Sequence, residues 1–220
     1  MSIANLGLSV MVLRKLPLFA GVDEAELEKL AKGAIRKQVG RGNFAFRAGD
    51  ETDSLHILLA GRAKVTNTDA AGREIILSWI GPGEFFGEMG LLDGAPRSAN
   101  VVATEPCDLL VISKEPFMGC MQHNFQVARQ LMTILVSRLR EANRKIESLA
   151  LLDVYGRVAH LLNELSEDED GRRVIKKKIT KQDMAKMIGA SREMVSKVMR
   201  DLELSGYIIY ENERVFVKGA

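Results

Sequence analysis

Apolar residues in the first half of the chain come in short runs, and glycines divide the runs at nearly even intervals. From about Asn43 to Ile112, segments such as Leu55-His56-Ile57-Leu58-Leu59 and Ile75-Ile76-Leu77-Ser78-Trp79 are separated by Gly49, Gly61, Gly72, Gly83 and Gly94, at successive spacings of 12, 11, 11 and 11. Strand-length segments punctuated by turn residues predict an all-β barrel or jelly roll. Upstream, Asp23 to Lys32 predicts a helix, with Leu27 and Leu30 on one side and acidic residues in the first turn, where they face the positive end of the helix dipole.

The pattern changes from about Gln122 to Leu152, a stretch with neither glycine nor proline. Here Ala128, Met132, Leu135, Leu139, Ala142, Ile146 and Leu149 recur at alternating intervals of 4 and 3. An average period of about 3.5 lets two helices share a seam. Arg138, Arg140, Glu141, Arg144 and Lys145 occupy the other side, so the apolar stripe is narrow. That favours a dimerisation helix over one packed wholly on its own domain.

Beyond it, Glu167-Asp168-Glu169-Asp170-Gly171 reads as an exposed turn and Arg172 to Lys178 as a short β-segment. Thr180 then caps a helix with Met184, Met187 and Ile188 on its apolar face, Gly189 supplies a left-handed turn, and Ser191 caps a second helix ended by Gly206. In the second helix Val195, Val198, Met199 and Leu202 must face a core, leaving Arg192, Glu193, Ser196, Lys197 and Arg200 outward. Tyr207 to Tyr210, a polar turn at Glu211-Asn212-Glu213, and Val215 to Val217 predict a hairpin. The fold class is therefore α+β: a β-roll with helical flanks, a long helix and a winged helix-turn-helix.

Composition narrows the function. The 220 residues carry 46% hydrophobic residues and a mean hydropathy of −0.02, enough for a sizeable core, with no apolar run long enough to span a bilayer. Met1 to Val12 lacks a basic n-region and a small-residue cleavage site, so a cytoplasmic location is expected. Two cysteines, Cys107 and Cys120, and three scattered histidines make neither a disulfide framework nor a metal set. No nucleophile-base constellation or Walker loop is evident, and no enzymatic activity or metal is expected. The net charge of +2 hides a local excess: between Gly171 and Arg200 ten basic residues stand against two acidic ones. That is a footprint for phosphate backbones, although a solvated lysine-rich face would look the same.

Two stretches carry chemistry. In Gly87-Glu88-Met89-Gly90-Leu91-Leu92 followed by Pro96-Arg97-Ser98-Ala99, glycines let backbone N–H groups approach an anion, a short helix starts, and Arg97 with Ser98 adds a charged fork and a hydroxyl. This fits a phosphate cradle in which Glu88 accepts from a sugar hydroxyl while Arg97 balances its charge. The alternative is a Gly-rich turn in which Arg97 only pairs with Glu88. In the second stretch the first residues of the second helix of a helix-turn-helix enter the major groove, where Arg192, Glu193 and Lys197 suit guanine and cytosine edges.

Through Gly81 to Ala99, Leu149 to Val158 and Ile179 to Lys197, in that order, the chain resembles the family of the catabolite activator (cyclic-AMP receptor protein) and the fumarate-nitrate regulator over nearly its whole length. The resemblance implies a double-stranded β-roll over residues 1–121, a dimerisation helix and hinge over 122–152 and a winged helix-turn-helix over 153–220. It places Glu88 at the ribose 2′-hydroxyl, Arg97 and Ser98 at the cyclic phosphate, and Ser78 and Arg138 at ligand-facing positions, with Gly87, Met89 and Ala99 completing the cradle. It implies cAMP as the leading effector. A Thr-Ser pair of the cyclic-AMP receptor is here Ala142 and Asn143; Asn143 can still bond a purine, but cGMP or a cyclic dinucleotide such as cyclic di-GMP becomes admissible. The DNA-contacting set it implies is Thr180, Lys181, Gln182, Ser191, Arg192, Glu193, Ser196 and Lys197, reading a two-fold TGTGA-like site. RNA polymerase is an implied partner of an activator, although the loop at Glu167 to Gly171 looks short for the family's polymerase contact. The competing reading is a constitutive DNA-binding protein whose sensor is a scaffold.

Overall fold

The computed structural model describes residues 3–176, 179–211 and 214–218, with side chains described from Ser9 onward. The chain divides into two compact units, Met1–Arg138 and Leu139–Ala220.

The first unit opens with α1 (Ile3–Lys15), a 3-10 turn at Pro17–Phe19 and α2 (Glu24–Lys32). Asp23 caps α2 by accepting from the Glu26 N–H at 2.8 Å, and Leu27 and Leu30 are buried, as the periodicity predicts, with Ala31 buried beside them. Eight strands follow: β1 (Ala34–Val39), β2 (Phe44–Phe46), β3 (Ser54–Ala60), β4 (Ala63–Thr68), β5 (Glu74–Ile80), β6 (Phe85–Phe86), β7 (Asn100–Ala103) and β8 (Cys107–Ser113), with the single-turn α3 (Met89–Asp93) between β6 and β7. They form two antiparallel four-stranded sheets, ordered β1-β8-β3-β6 and β2-β7-β4-β5. The evenly spaced glycines have a common cause: all five sit at positive φ, from 76° to 91°, four in connections between strands and Gly94 at the C-cap of α3. Leu58, Val101, Leu109 and Phe86 fill the roll, while Leu55, Ile57, Leu110 and Ile112 pack against α1, α2 and α4 (Lys114–His123).

The long helix, α5, spans Phe125–Leu151. The predicted start at Gln122 is corrected: Gln122 and His123 finish α4, and Asn124 breaks the helix with φ −130° and ψ 92°. The stripe is also divided. Val127 and Leu131 are buried and Ile134 and Leu135 pack on the core of their own unit. Met132, Val136, Leu139, Ile146 and Leu149 remain exposed. Leu135 thus belongs to the intradomain face, and Val136 to the apolar face that stays open.

The second unit contains α6 (Val154–Leu165), β9 (Glu167–Glu169), β10 (Arg172–Ile175), α7 (Lys181–Ile188), α8 (Arg192–Leu204), β11 (Ile208–Glu211) and β12 (Arg214–Val217). Helix α6 is a segment that periodicity passed over; the Asp153 carboxylate caps it through the Gly156 N–H at 2.8 Å. Its Val158, Leu161 and Leu162 share a core with Met184, Ile188, Val195, Met199 and Leu202. Arg157 ties α6 to the end of α7 by donating to the Ile188 carbonyl at 3.0 Å. The strands make one antiparallel sheet, ordered β11-β12-β10-β9. The acidic turn is therefore shorter than expected: Glu167–Glu169 is strand, and the chain reverses at Asp170 and Gly171, at φ 54° and 76°. The predicted β-segment ends at Ile175; Lys177 and Lys178, and the predicted wing turn at Asn212-Glu213, lie outside the described residues.

Candidate functional site

The cradle begins at the turn after β6. Gly87 has φ +82°, and a Cβ there would lie 2.3 Å from Nη1 of Arg97, so only glycine leaves room for the guanidinium. Arg97 is 5% exposed. Its Nη1 donates to the Gly87 carbonyl at 2.6 Å, and its Nη2 to the carbonyl and hydroxyl of Ser54 at 2.8 and 3.2 Å. The guanidinium lies 4.2 Å over the Phe46 ring, and Asp53 is 3.7 Å from Nη2. Burial lowers its pKa, opposed by the nearby charges of Asp53, Asp50 and Glu88; an arginine keeps its charge under such a shift. Its Nε is buried without a partner among the described residues. A buried N–H lacking an acceptor costs free energy, and an anionic oxygen would satisfy it.

Phe46, Phe86 and His56 form an aromatic cluster around this arginine, with ring centroids 5.3 to 5.7 Å apart. Burial, and after it the charges of Arg97 and Lys37, push the His56 pKa down to about 3. The imidazole is therefore neutral near pH 7, and it adds no second charge to the arginine's surroundings.

Glu88 is 4% exposed and stands immediately before α3. It is not balanced as the sequence suggests. Its Oε1 accepts from Nη1 of Arg138 at 2.8 Å, while Arg138 Nη2 donates to the Phe85 carbonyl at 2.5 Å. The Arg97 fork is already committed to Gly87 and Ser54, so the simple Arg97–Glu88 pair is excluded as the reason for the motif. A carboxylate has about four acceptor sites, so Glu88 keeps capacity for a hydroxyl donor.

Ser98 is exposed, and its Oγ donates to Sδ of Met89 at 3.6 Å. Ala99 is buried and Ser78 half-buried on β5, paired with Val65. The first unit thus brings Gly87, Glu88, Met89, Arg97, Ser98 and Arg138 together around one turn. Asn143 is an exposed residue of α5 in the second unit. Sequence reasoning missed Ser54, Phe46 and the Phe85 carbonyl. Strand alternation marks Phe46 and Ser54 only as inward positions, and no local spacing ties them to Arg97.

In the second unit, the Thr180 hydroxyl accepts from the Asp183 N–H at 3.0 Å and donates to its carboxylate at 2.7 Å, capping α7. Gly189 takes φ 63° and ψ 44°, and the Ser191 hydroxyl accepts from the Met194 N–H at 3.2 Å, starting α8. Val195, Val198, Met199 and Leu202 are buried; Arg192, Glu193, Lys197 and Arg200 are exposed, with Ser196 half-buried among them. Lys181 and Gln182 are exposed in the first turn of α7. Backbone and Ser191 hydrogen bonds hold the Glu193 carboxyl below the usual carboxylate range, so it accepts rather than donates at pH 7.

The basic excess needs a correction of its own. Arg172 pairs with Glu211 at 3.1 Å, Lys176 with Glu167 and Glu169 at 3.5 and 3.6 Å, and Arg173 donates to the Asn163 carbonyl at 2.6 Å and the Ser166 hydroxyl at 2.8 Å. Acidic residues flanking the counted window thus neutralise Arg172 and Lys176, while Lys181 on α7 and Arg192, Lys197 and Arg200 on α8 are exposed among the described residues. Among the described residues there is no metal-ligand cluster, and no helix is long and apolar enough to cross a membrane.

Comparison with known proteins agrees with both halves of this arrangement. A cyclic nucleotide-binding domain family matches residues 36–124, and a Crp-like helix-turn-helix domain family matches residues 156–218. The chain is similar to the cAMP-activated global transcriptional regulator Vfr of Pseudomonas aeruginosa, 32% identical over 203 residues, 88% of this chain and 94% of that one. It is similar to the cAMP-activated global transcriptional regulator CRP of Haemophilus influenzae, 34% identical over 180 residues, 79% of each. The solved structure of the c-di-GMP responsive global regulator CLP of Xanthomonas campestris aligns with a TM-score of 0.74 at 26% identity, covering 90% of this chain and all of that one.

Proposed function

The chain belongs to the CRP/FNR family of transcription regulators, DNA-binding proteins with a cyclic nucleotide-binding domain, and from that premise we propose that this member is a homodimer gated by cAMP. The observation that carries the effector reading is Arg97, a buried guanidinium held by main-chain acceptors with an Nε that has no partner among the described residues. A singly charged cyclic phosphate supplies the missing acceptor. In this reading Arg97 and Ser98 hold the phosphate, Glu88 takes the ribose 2′-hydroxyl while Arg138 neutralises it, and Gly87, Met89 and Ala99 shape the turn. Ser78 and Arg138 face the ligand, and Asn143 is the position the family resemblance assigns to the purine across the dimer. The two cAMP-activated relatives support the choice of nucleotide.

The open apolar face of α5, with Met132, Val136, Leu139, Ile146 and Leu149, suits a second copy of the same helix. We assign residues 1–121 to sensing, 122–152 to dimerisation and hinge, and 153–220 to DNA binding. Arg192, Glu193 and Lys197 read bases of a two-fold TGTGA-like site, Ser196 lies between them, and Thr180, Lys181, Gln182 and Ser191 meet the backbone. RNA polymerase is the further partner of an activator working in the cytoplasm. Catalysis forms no part of this function.

Fluorescence anisotropy of a labelled duplex bearing that site, titrated at fixed salt without ligand and with cAMP, cGMP or cyclic di-GMP, tests the reading. A change in DNA affinity of about tenfold with cAMP alone, abolished by Arg97→Ala, is the expected result. Tight binding indifferent to all three nucleotides favours the constitutive scaffold instead. A response to cyclic di-GMP alone replaces the messenger; the likeness to the c-di-GMP responsive regulator and the Ala142-Asn143 pair keep that second reading in play.

A further inference from the structure

Ser98 and Met89 stand nine residues apart and touch: the hydroxyl that the cradle reserves for a phosphate donates instead to the Met89 thioether, at 3.6 Å. A thioether is a weak acceptor, so an arriving phosphate oxygen displaces it readily. Met89 opens α3 next to Glu88 and is 53% exposed. Met11, Met132 and Met194 are exposed to a similar degree, but Met89 is the methionine whose sulfur occupies a hydroxyl of the candidate effector site.

We propose that Met89 is a peroxide-sensitive site through which oxidation disables effector binding. The inference rests on the cyclic-nucleotide reading of the cradle. In the reaction the sulfur lone pair attacks one oxygen of hydrogen peroxide. The O–O bond breaks, an S–O bond forms, and the second oxygen leaves with both protons as water. Sulfur is oxidised by two electrons and the peroxide is reduced by two. The product places a strong acceptor and the negative end of a dipole where the thioether stood. The sulfoxide oxygen retains the Ser98 proton that the phosphate needs, and it repels the incoming anion. Arg97 is unaffected, because its bonds run to Gly87 and Ser54. Methionine sulfoxide reductase reverses the change, so the site acts as a redox gate rather than a lesion.

The test uses the full-length protein. Affinity for cAMP, cGMP and cyclic di-GMP is measured by calorimetry before and after graded hydrogen peroxide, with peptide mass spectrometry reporting each methionine, in the wild type and in Met89→Leu. The wild type should lose about tenfold in affinity as Met89 converts, in line with a lost hydrogen bond to a charged group. Reductase should restore it, and the before-to-after ratio for Met89→Leu should stay within about twofold, inside ordinary additivity error. Complete conversion of Met89 without loss of affinity overturns the proposal. So does an equal loss in Met89→Leu, or a Met89 that stays reduced while Met11, Met132 and Met194 oxidise. Untreated protein that binds none of the three nucleotides overturns the cyclic-nucleotide reading itself, a failure seen before any peroxide is added.

Discussion

The two candidate sites use the same cation in opposite surroundings. Arg97 is buried, fixed by three hydrogen bonds at 2.6 to 3.2 Å and stacked on Phe46. Arg192 stands in water at the first turn of α8, where only its helix is fixed. A small anion has few groups to recognise, so binding it well requires a donor already desolvated and aimed. A DNA duplex offers a long polyanion and many base edges, so mobile surface cations attract it from a distance and settle on contact. The first strategy makes the site part of the fold; the second leaves the fold indifferent to it.

Three substitutions break or sharpen that contrast. The largest effect belongs to Arg97→Ala, which strands the Gly87 and Ser54 acceptors. We expect a loss of roughly 3 kcal/mol in the free energy of unfolding, read from urea denaturation, together with loss of effector binding. An unchanged unfolding curve would show that the cradle is not built into the core.

Next comes His56→Phe, which keeps a ring between Phe46 and Phe86 but removes its titration. The folded-state pKa of about 3 lies below the ordinary histidine value of 6.5. As pH falls between those values the unfolded chain takes up a proton that the folded chain refuses, so folding weakens with acidification. From pH 7 to pH 5 the wild type should lose about 2 kcal/mol more than His56→Phe, measured by urea unfolding at the two pH values. Parallel losses would place the acid sensitivity elsewhere.

The smallest effect on the fold is expected for Arg192→Ala. Unfolding should move by less than about 0.5 kcal/mol, while discrimination between the cognate duplex and one changed at the guanine proposed for it should fall by about 1–3 kcal/mol. A large unfolding change would mean that this arginine is structural, and the contrast with Arg97 would collapse.

The same contrast explains what the sequence discloses. The reader is legible because its determinants are local: Thr180 and Ser191 cap residues three positions away, Gly189 makes the turn between them, and the apolar face of α8 repeats along one helix. The glycine rhythm of the roll is legible for the same reason, since positive φ is a property of single residues. The motif around Glu88 and Arg97 is visible, but its wiring is not. Ser54 lies 43 residues before Arg97, and Arg138 lies 50 residues after Glu88. Only tertiary structure decides that Arg138, rather than Arg97, neutralises Glu88. Periodicity also misjudges α5, because Leu135 satisfies a seam pattern and an intradomain core equally well. Asn124 is a residue type that favours helix caps over helix interiors, but a single Asn in a long stretch without Gly or Pro is too weak a signal to mark the break by itself.

Gly87 bears on evolution as well as on binding. Its carbonyl anchors the guanidinium, and its missing side chain makes the room. Positions 87 and 97 are therefore coupled: a side chain at the first takes the space that the guanidinium of the second occupies. A lineage that abandons the effector is free to lose either residue, but the loss of one removes the use of the other. Among relatives that have diverged in what they sense, an intact arginine beside a substituted glycine would mark a pocket that has already fallen silent.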